Sequence, residues 1–128
     1  MIPSNLKYTE EHEWVLIEGD IATIGVTQHA IHELGEIVYV ELPTVGTEYS
    51  QMTAFGSVES VKTVSSLYLP LSGEIIQVNT ELTNHPGLLN ESPYDDGWMV
   101  KIRIHDTQEI DELLTPEDYA AQLETTLS

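Results

Sequence analysis

The sequence predicts a mainly β protein, built as a sandwich of small sheets with short helices and a C-terminal helix. Extended runs rich in Val, Ile, Tyr and Trp recur along the chain and are cut by Gly and Pro turns. Leu42-Pro43-Thr44-Val45-Gly46 is echoed by Leu69-Pro70-Leu71-Ser72-Gly73 twenty-seven residues later, and Val40 and Leu67 also correspond. Two strand–turn units of this kind suggest a sandwich with approximate internal symmetry. Helical patterning is confined to short capped segments and to the C-terminus.

The elements follow in order. Tyr8 to Ile17 is extended, with Trp14 and Leu16 on one face and Val15 and Ile17 on the other. Gly19-Asp20 turns the chain, and Ile21 to Val26 returns as a second strand. Thr27 is placed to cap a short helix, Gln28 to Leu34, that Gly35 closes. So short a helix needs tertiary support, which predicts that Ile31 and Leu34 pack on the sheets. Ile37 to Leu42 is a strand ended by Pro43. Glu48 to Phe55 reads as one further strand after the Val45-Gly46 turn. Val64 to Leu69 runs to Pro70, and Leu71-Ser72-Gly73 turns into a strand over 74–78. Asn79 or Thr80 caps a helical turn, and His85 to Asn90 gives another before Pro93. Tyr94-Asp95-Asp96-Gly97 turns into a strand from Trp98 to Ile104. Thr115, Pro116 and Asp118 have the spacing of an N-cap, first position and capping-box acid for a final helix. Tyr119, Leu123 and Leu127 give that helix one apolar face, predicted to lie on the sheets as a lid over the core.

Composition bounds the function. The chain has 128 residues, enough for one domain with an appendage, and 41% of them are apolar. Lys and Arg total 4 against 22 Asp and Glu, a formal charge of -18. Such a surface argues against nucleic acid and anionic membrane and favours partners with basic docking faces. No stretch is apolar and long enough to span a bilayer. Met1-Ile2-Pro3-Ser4-Asn5 has no targeting pattern, and the expected location is the cytoplasm. There is no cysteine, which excludes disulfide scaffolds, thiol nucleophiles and Cys-ligated zinc. Any sulfur chemistry therefore needs an attached cofactor.

One stretch organises the rest, Gly56-Ser57-Val58-Glu59-Ser60-Val61-Lys62-Thr63-Val64-Ser65. Alternation runs up to Lys62, breaks there and resumes as extended residues, the pattern of two strands joined by a tight turn. This places Lys62, one of three lysines, at or beside a hairpin tip. Neither Asn-Gly nor Asp-Gly is present, so something besides intrinsic turn preference must hold the tip.

Other chemistry is poorly supported. His29 and His32, with Glu33, offer metal-type spacing on the short helix, but no third ligand is evident, and no metal is expected. There is no nucleophile elbow, phosphate loop or dinucleotide fingerprint. Tyr8, Trp14 and Trp98 read as core aromatics, with His12 and Glu13 in a polar turn between the first two. No catalytic residues are expected.

The chain resembles the H proteins of the glycine cleavage system over nearly its whole length. The resemblance rests on Glu11-His12-Glu13-Trp14, Ile24-Gly25-Val26-Thr27, Leu34 to Pro43, and Val45-Gly46. It is strongest in Gly56 to Thr63, then continues in Pro70 to Glu74, Val78-Asn79, Asn90 to Tyr94, and Gly97-Trp98. It implies a lipoyl-domain-like barrel-sandwich hybrid of small β-sheets. It also implies a single lipoyl-carrier domain over 1–128, with a core over about 8–105 and a helical extension over about 106–128. Lys62 is then the lysine whose ε-amine carries lipoic acid as an amide, and Glu59 is the acidic residue just before it. The resemblance further implies a non-catalytic carrier that visits three enzymes in turn. These are a pyridoxal-phosphate glycine decarboxylase (P protein), a tetrahydrofolate-dependent aminomethyltransferase (T protein) and dihydrolipoyl dehydrogenase (L protein). Lipoyl-attaching enzymes are further partners, and a monomer is expected. The sequence departs from the common pattern at Ile31, Met52 and Ser65-Ser66. Rival readings are an H-protein-like paralogue used in lipoate relay, a biotin carrier and an unmodified binding module. Val61 and Thr63 argue against biotin, whose lysine is flanked by methionines.

Overall fold

Gly19, with φ of 67°, lets the chain reverse between Glu13–Glu18 (β2) and Ile21–Val26 (β3), which pair from Glu18↔Ile21 back to Glu13↔Val26. Lys7–Tyr8 (β1) pairs on the far side of β2. The computed structural model describes the backbone of residues 2–127 and the side chains of 2–124. Among these residues the remaining strands are Ile37–Glu41 (β4), Glu48–Tyr49 (β5), Ala54–Ser60 (β6), Val64–Tyr68 (β7), Gly73–Val78 (β8) and Val100–Ile104 (β9). They form two antiparallel sheets, a six-stranded one in the order β1-β2-β3-β9-β8-β5 and a three-stranded one in the order β4-β6-β7.

Val15, Ile24, Ile75 and Ile102 from the larger sheet meet Val40, Val58 and Leu67 from the smaller one in the main core. This is the predicted fold, mainly β with small sheets, short helices and a C-terminal helix, in keeping with a lipoyl-domain-like architecture. The echo has a structural meaning. In each copy the Leu-Pro segment carries the chain from the smaller sheet to the larger, β4 to β5 and β7 to β8, and β5 then pairs with β8.

The capping expectations hold. Thr27 accepts from the Ala30 N–H at the start of Gln28–Leu34 (α1), and the Gly35 N–H donates to Ile31 O at its end. Asn79 Oδ1 accepts from the Glu81 N–H ahead of Glu81–Asn84 (α2), whereas Thr80 makes no side-chain cap. Leu88–Glu91 is the next helical turn (α3), and 107–112 forms a 3-10 turn. Thr115 and Asp118 exchange hydrogen bonds at the start of Pro116–Leu127 (α4).

Four expectations need correction. The extended run over Tyr8 to Ile17 is broken at Thr9 to His12, where Thr9 and Glu13 bond each other and His12 takes a φ of 69°. Glu48 to Phe55 is two strands in different sheets, because a turn with Met52 at φ 63° takes the chain across the sandwich. Trp98 precedes its strand and is only half buried, with Lys101 Nζ 5.3 Å from its ring centre. Helix α4 packs on a sheet, but not over the main core. Tyr119 stacks on Tyr8 at 4.6 Å and builds a second cluster with Leu6 and Trp14. Alternation along β2 explains this: Val15 faces the main core, so Trp14 faces away and needs its own cover. Leu123 joins that cluster, while the Leu127 side chain lies outside the described residues. No helix among the described residues is long and apolar enough to cross a membrane.

Candidate functional site

Lys62 sits at the tip of the β6–β7 hairpin, beyond the last strand pair Glu59↔Val64. The Ser60 side chain holds that tip in place of an Asn-Gly turn. Its Oγ accepts from the Lys62 and Thr63 N–H groups at 3.1 and 3.2 Å, while the Ser60 N–H donates to Thr63 O at 2.8 Å. Ser60 is 5% exposed, so its hydroxyl is fixed by the fold as well as by the turn. A serine two residues before a glycine-free tip was a usable sequence signal, since Ser hydroxyls mimic backbone turns. The Val61 N–H donates to Glu36 O, which ties the tip to the segment after α1. The Val61 side chain is 68% exposed and does not itself shape the turn.

Ser60→Ala is expected to cost about 1–3 kcal/mol, because two tip N–H groups lose their acceptor. The tip should loosen while the sheets persist. Amide exchange at Lys62 and Thr63 would report this, and unchanged protection there would refute the role of Ser60.

The Lys62 ammonium is exposed, and its Nζ donates to Glu33 O at 3.4 Å. Among the described residues it has no carboxylate partner within ion-pair distance. Gly35, at φ 85°, closes α1 directly beneath it, and a side chain there would meet the Lys62 Cε at 3.5 Å. The other two lysines are differently placed. Lys7 is half buried in β1 opposite Val15, and Lys101 is half buried in β9 between β3 and β8. The structure thus distinguishes one lysine of three as an exposed amine on a braced hairpin tip.

The face around the tip is mixed. Tyr39, Glu59 and Val64 lie in register across the smaller sheet, on the face opposite Val40 and Val58. Tyr39 is 53% and Val64 62% exposed. Beside Gly35 opens a groove of about 640 Å³, lined by Gln28, Ile31, His32, Glu36 and Asn90 among others. Of the departures from the common pattern, Ile31 is buried in the main core beneath this groove, and Met52 is exposed in the turn between the sheets.

Glu13 was not legible from sequence as a special residue. Its carboxylate is 1% exposed, accepting from the Thr9 hydroxyl and the Tyr68 N–H, both at 2.9 Å. Burial pushes its pKa up to about 7, against the lowering effect of those two hydrogen bonds. Of the histidines weighed as ligands, His29 faces Glu33 at 3.3 Å, while His32 is exposed and turns toward the groove.

The family profile described as "Glycine cleavage H-protein" matches residues 6–126. The chain belongs to that family. It is 53% identical over 122 residues to the glycine cleavage system H protein of Staphylococcus epidermidis (strain RP62A), covering 95% of this chain and 97% of the relative. It is 54% identical over 121 residues to that of Geobacillus kaustophilus (strain HTA426), covering 94% and 95%. A crystal structure of a glycine cleavage system H protein from Mycobacterium marinum superposes with a TM-score of 0.89 at 39% identity, covering 96% of this chain and 99% of that one. H proteins are non-catalytic carrier subunits that use lipoic acid and work with the P, T and L proteins. The general role of this chain is therefore that of a lipoyl carrier in glycine cleavage.

Proposed function

We propose that Lys62 is the lipoyl attachment point and that this chain, in the cytoplasm, shuttles the aminomethyl group of glycine. It would receive that group from the pyridoxal-phosphate glycine decarboxylase and deliver it to the tetrahydrofolate-dependent aminomethyltransferase. It would then present the reduced carrier to dihydrolipoyl dehydrogenase. The observation that carries the reading is the Ser60-braced tip with its exposed amine. The residues fit the group: an amide at Nζ displaces one hydrogen bond, to Glu33 O, and among the described residues removes no ion pair. When attached, a lipoyl group supplies a disulfide that accepts the aminomethyl unit and is thereby reduced, chemistry that a chain without cysteine lacks.

The protein's own part is positional. The braced hairpin fixes the root of the arm, while the lysine stem stays free to sweep, which raises effective concentration at each partner's active site. The exposed carboxylates, Glu59 among them, steer basic docking faces toward the tip and make association salt-sensitive. Tyr39 and Val64, level with Glu59, supply apolar area for those contacts and for the attaching enzyme.

Intact mass tests the site. Protein from cells supplied with lipoate should carry one lipoyl addition per chain, and Lys62→Ala none. Addition at Lys7 or Lys101 would overturn the site. A lipoylated chain that glycine decarboxylase does not accept would instead favour the lipoate-relay paralogue.

A further inference from the structure

Three side chains from separate turns of the chain converge on the side of α1 away from the groove. His12 comes from the turn between β1 and β2, and His29 and Glu33 come from adjacent turns of α1. One ligand atom from each lies within 4.8 Å of the other two. The His12 and His29 rings are 4.6 Å apart. His29 Nε2 is shielded from solvent and has no hydrogen-bond partner among the described residues. Glu33 Oε1 stands 3.3 Å from it without hydrogen-bond geometry, an arrangement that leaves a buried nitrogen unsatisfied.

We propose that His12, His29 and Glu33 form a binding site for a divalent transition-metal ion of the zinc class. Two imidazoles and a carboxylate suit such an ion, and tetrahedral ligands about 2.0–2.1 Å from it would stand ~3.3 Å from one another. The three groups therefore need to close by no more than about 1.5 Å, and His29 Nε2 and Glu33 Oε1 already stand 3.3 Å apart, with the Glu33 side chain 56% exposed and able to adjust. Three protein ligands leave a fourth position for water or an exogenous donor.

The surroundings already orient one ligand. Tyr119 OH lies 2.7 Å from His12 Nδ1 and 2.8 Å from Thr27 Oγ1. With Nδ1–H donating to the tyrosine, the Nε2 lone pair is free for the metal, the outer-sphere arrangement that metal-bound histidines use. Tyr119 is thus a positioning residue, and the bound ion would tie α4, α1 and the β1–β2 turn together. Because the Glu33 carbonyl accepts from Lys62 Nζ, the ion would also stiffen the helix end that supports the tip. The site itself does not depend on what Lys62 carries.

The sequence offered His29 and His32, with Glu33, as candidates and showed no further ligand; the structure turns His32 toward the groove instead. His12 is seventeen or more residues away, and only the fold brings it there.

The test is calorimetric titration of the untagged full chain with zinc chloride near neutral pH, with cobalt(II) absorption as a second readout. One zinc per chain is expected, together with a zinc-dependent rise in melting temperature. His29→Gln and Glu33→Gln should each weaken binding at least ten-fold. Tyr119→Phe, which keeps the ring stack on Tyr8, should weaken it about 10- to 100-fold. His85→Gln, at a separate His–Glu pair, should leave it unchanged. Glu33 is a surface side chain, so Glu33→Gln remains informative if a histidine variant fails to fold. No saturable binding, equal binding by wild type and Glu33→Gln, or loss in His85→Gln would each overturn the proposal.

Discussion

Glu13→Gln is expected to flatten the dependence of stability on pH. The wild-type carboxyl has a folded-state pKa of about 7 against an ordinary 4.5. Because the folded value is raised, the native state binds the extra proton. The stability from this group is complete below about 4.5 and is lost as pH rises through about 7. Between about pH 5 and about pH 8 the wild type should lose about 2.5 kcal/mol through this residue alone. Glutamine mimics the protonated acid: its oxygen can accept from the Tyr68 N–H and its amide can donate to Thr9 Oγ. The variant should therefore match the wild type at the acid end and exceed it at the alkaline end. Urea unfolding of both proteins at the two pH values isolates the effect, because the other carboxylates cancel in the difference. Parallel profiles would show that Glu13 titrates normally.

Gly56→Ala is expected to be the more damaging change. Gly56 lies in β6, the middle strand of the smaller sheet, next to the irregularity between Ala54 and Gly56. A Cβ there would fall well inside contact distance of the Glu41 carbonyl oxygen. That oxygen belongs to the backbone of β4 and cannot rotate away, so the strands must part. Overpacking against a side chain costs about 1–3 kcal/mol, and a rigid backbone neighbour puts this substitution at or above the upper end. The melting temperature should fall on the order of 10 °C. Amide protection should fall along β4 and β6, the base of the Lys62 hairpin, before it falls in β2 and β3. A variant with unchanged melting temperature and unchanged β4 protection would show that the bulge absorbs the methyl group.

The contrast between Ser60 and Glu13 shows where sequence reading stops. Turn chemistry is local: Ser60 acts on residues two and three ahead, within the range of general rules for serine. Its part was therefore recoverable, although only the need for some such device was foreseen. The Glu13 carboxylate is fixed by Tyr68, fifty-five residues on, and nothing about a Glu next to Trp14 announces that it will be buried. The broken strands share this cause. His12 and Met52 adopt positive φ without being glycine; histidine is only somewhat enriched there and methionine gives no sign of it.

By itself the sequence determined the mainly β class and several of the strands, among them Ile21–Val26 and Ile37–Glu41, the caps of α1 and α4, and the placing of Lys62 at a turn. It also carried the paired Leu-Pro segments and the family. These rest on patterns that repeat within a few residues, or on motif order along the chain. Only the tertiary structure decided which sheet each strand joined and that α4 would build a second core around Tyr8 and Tyr119. It alone left Lys62 exposed while Lys7 and Lys101 were half buried, and brought His12 against His29 and Glu33. The reason is geometric: burial and through-space charge depend on chain segments far apart in sequence, and a strand's hydrophobic alternation is the same whichever neighbour it finds.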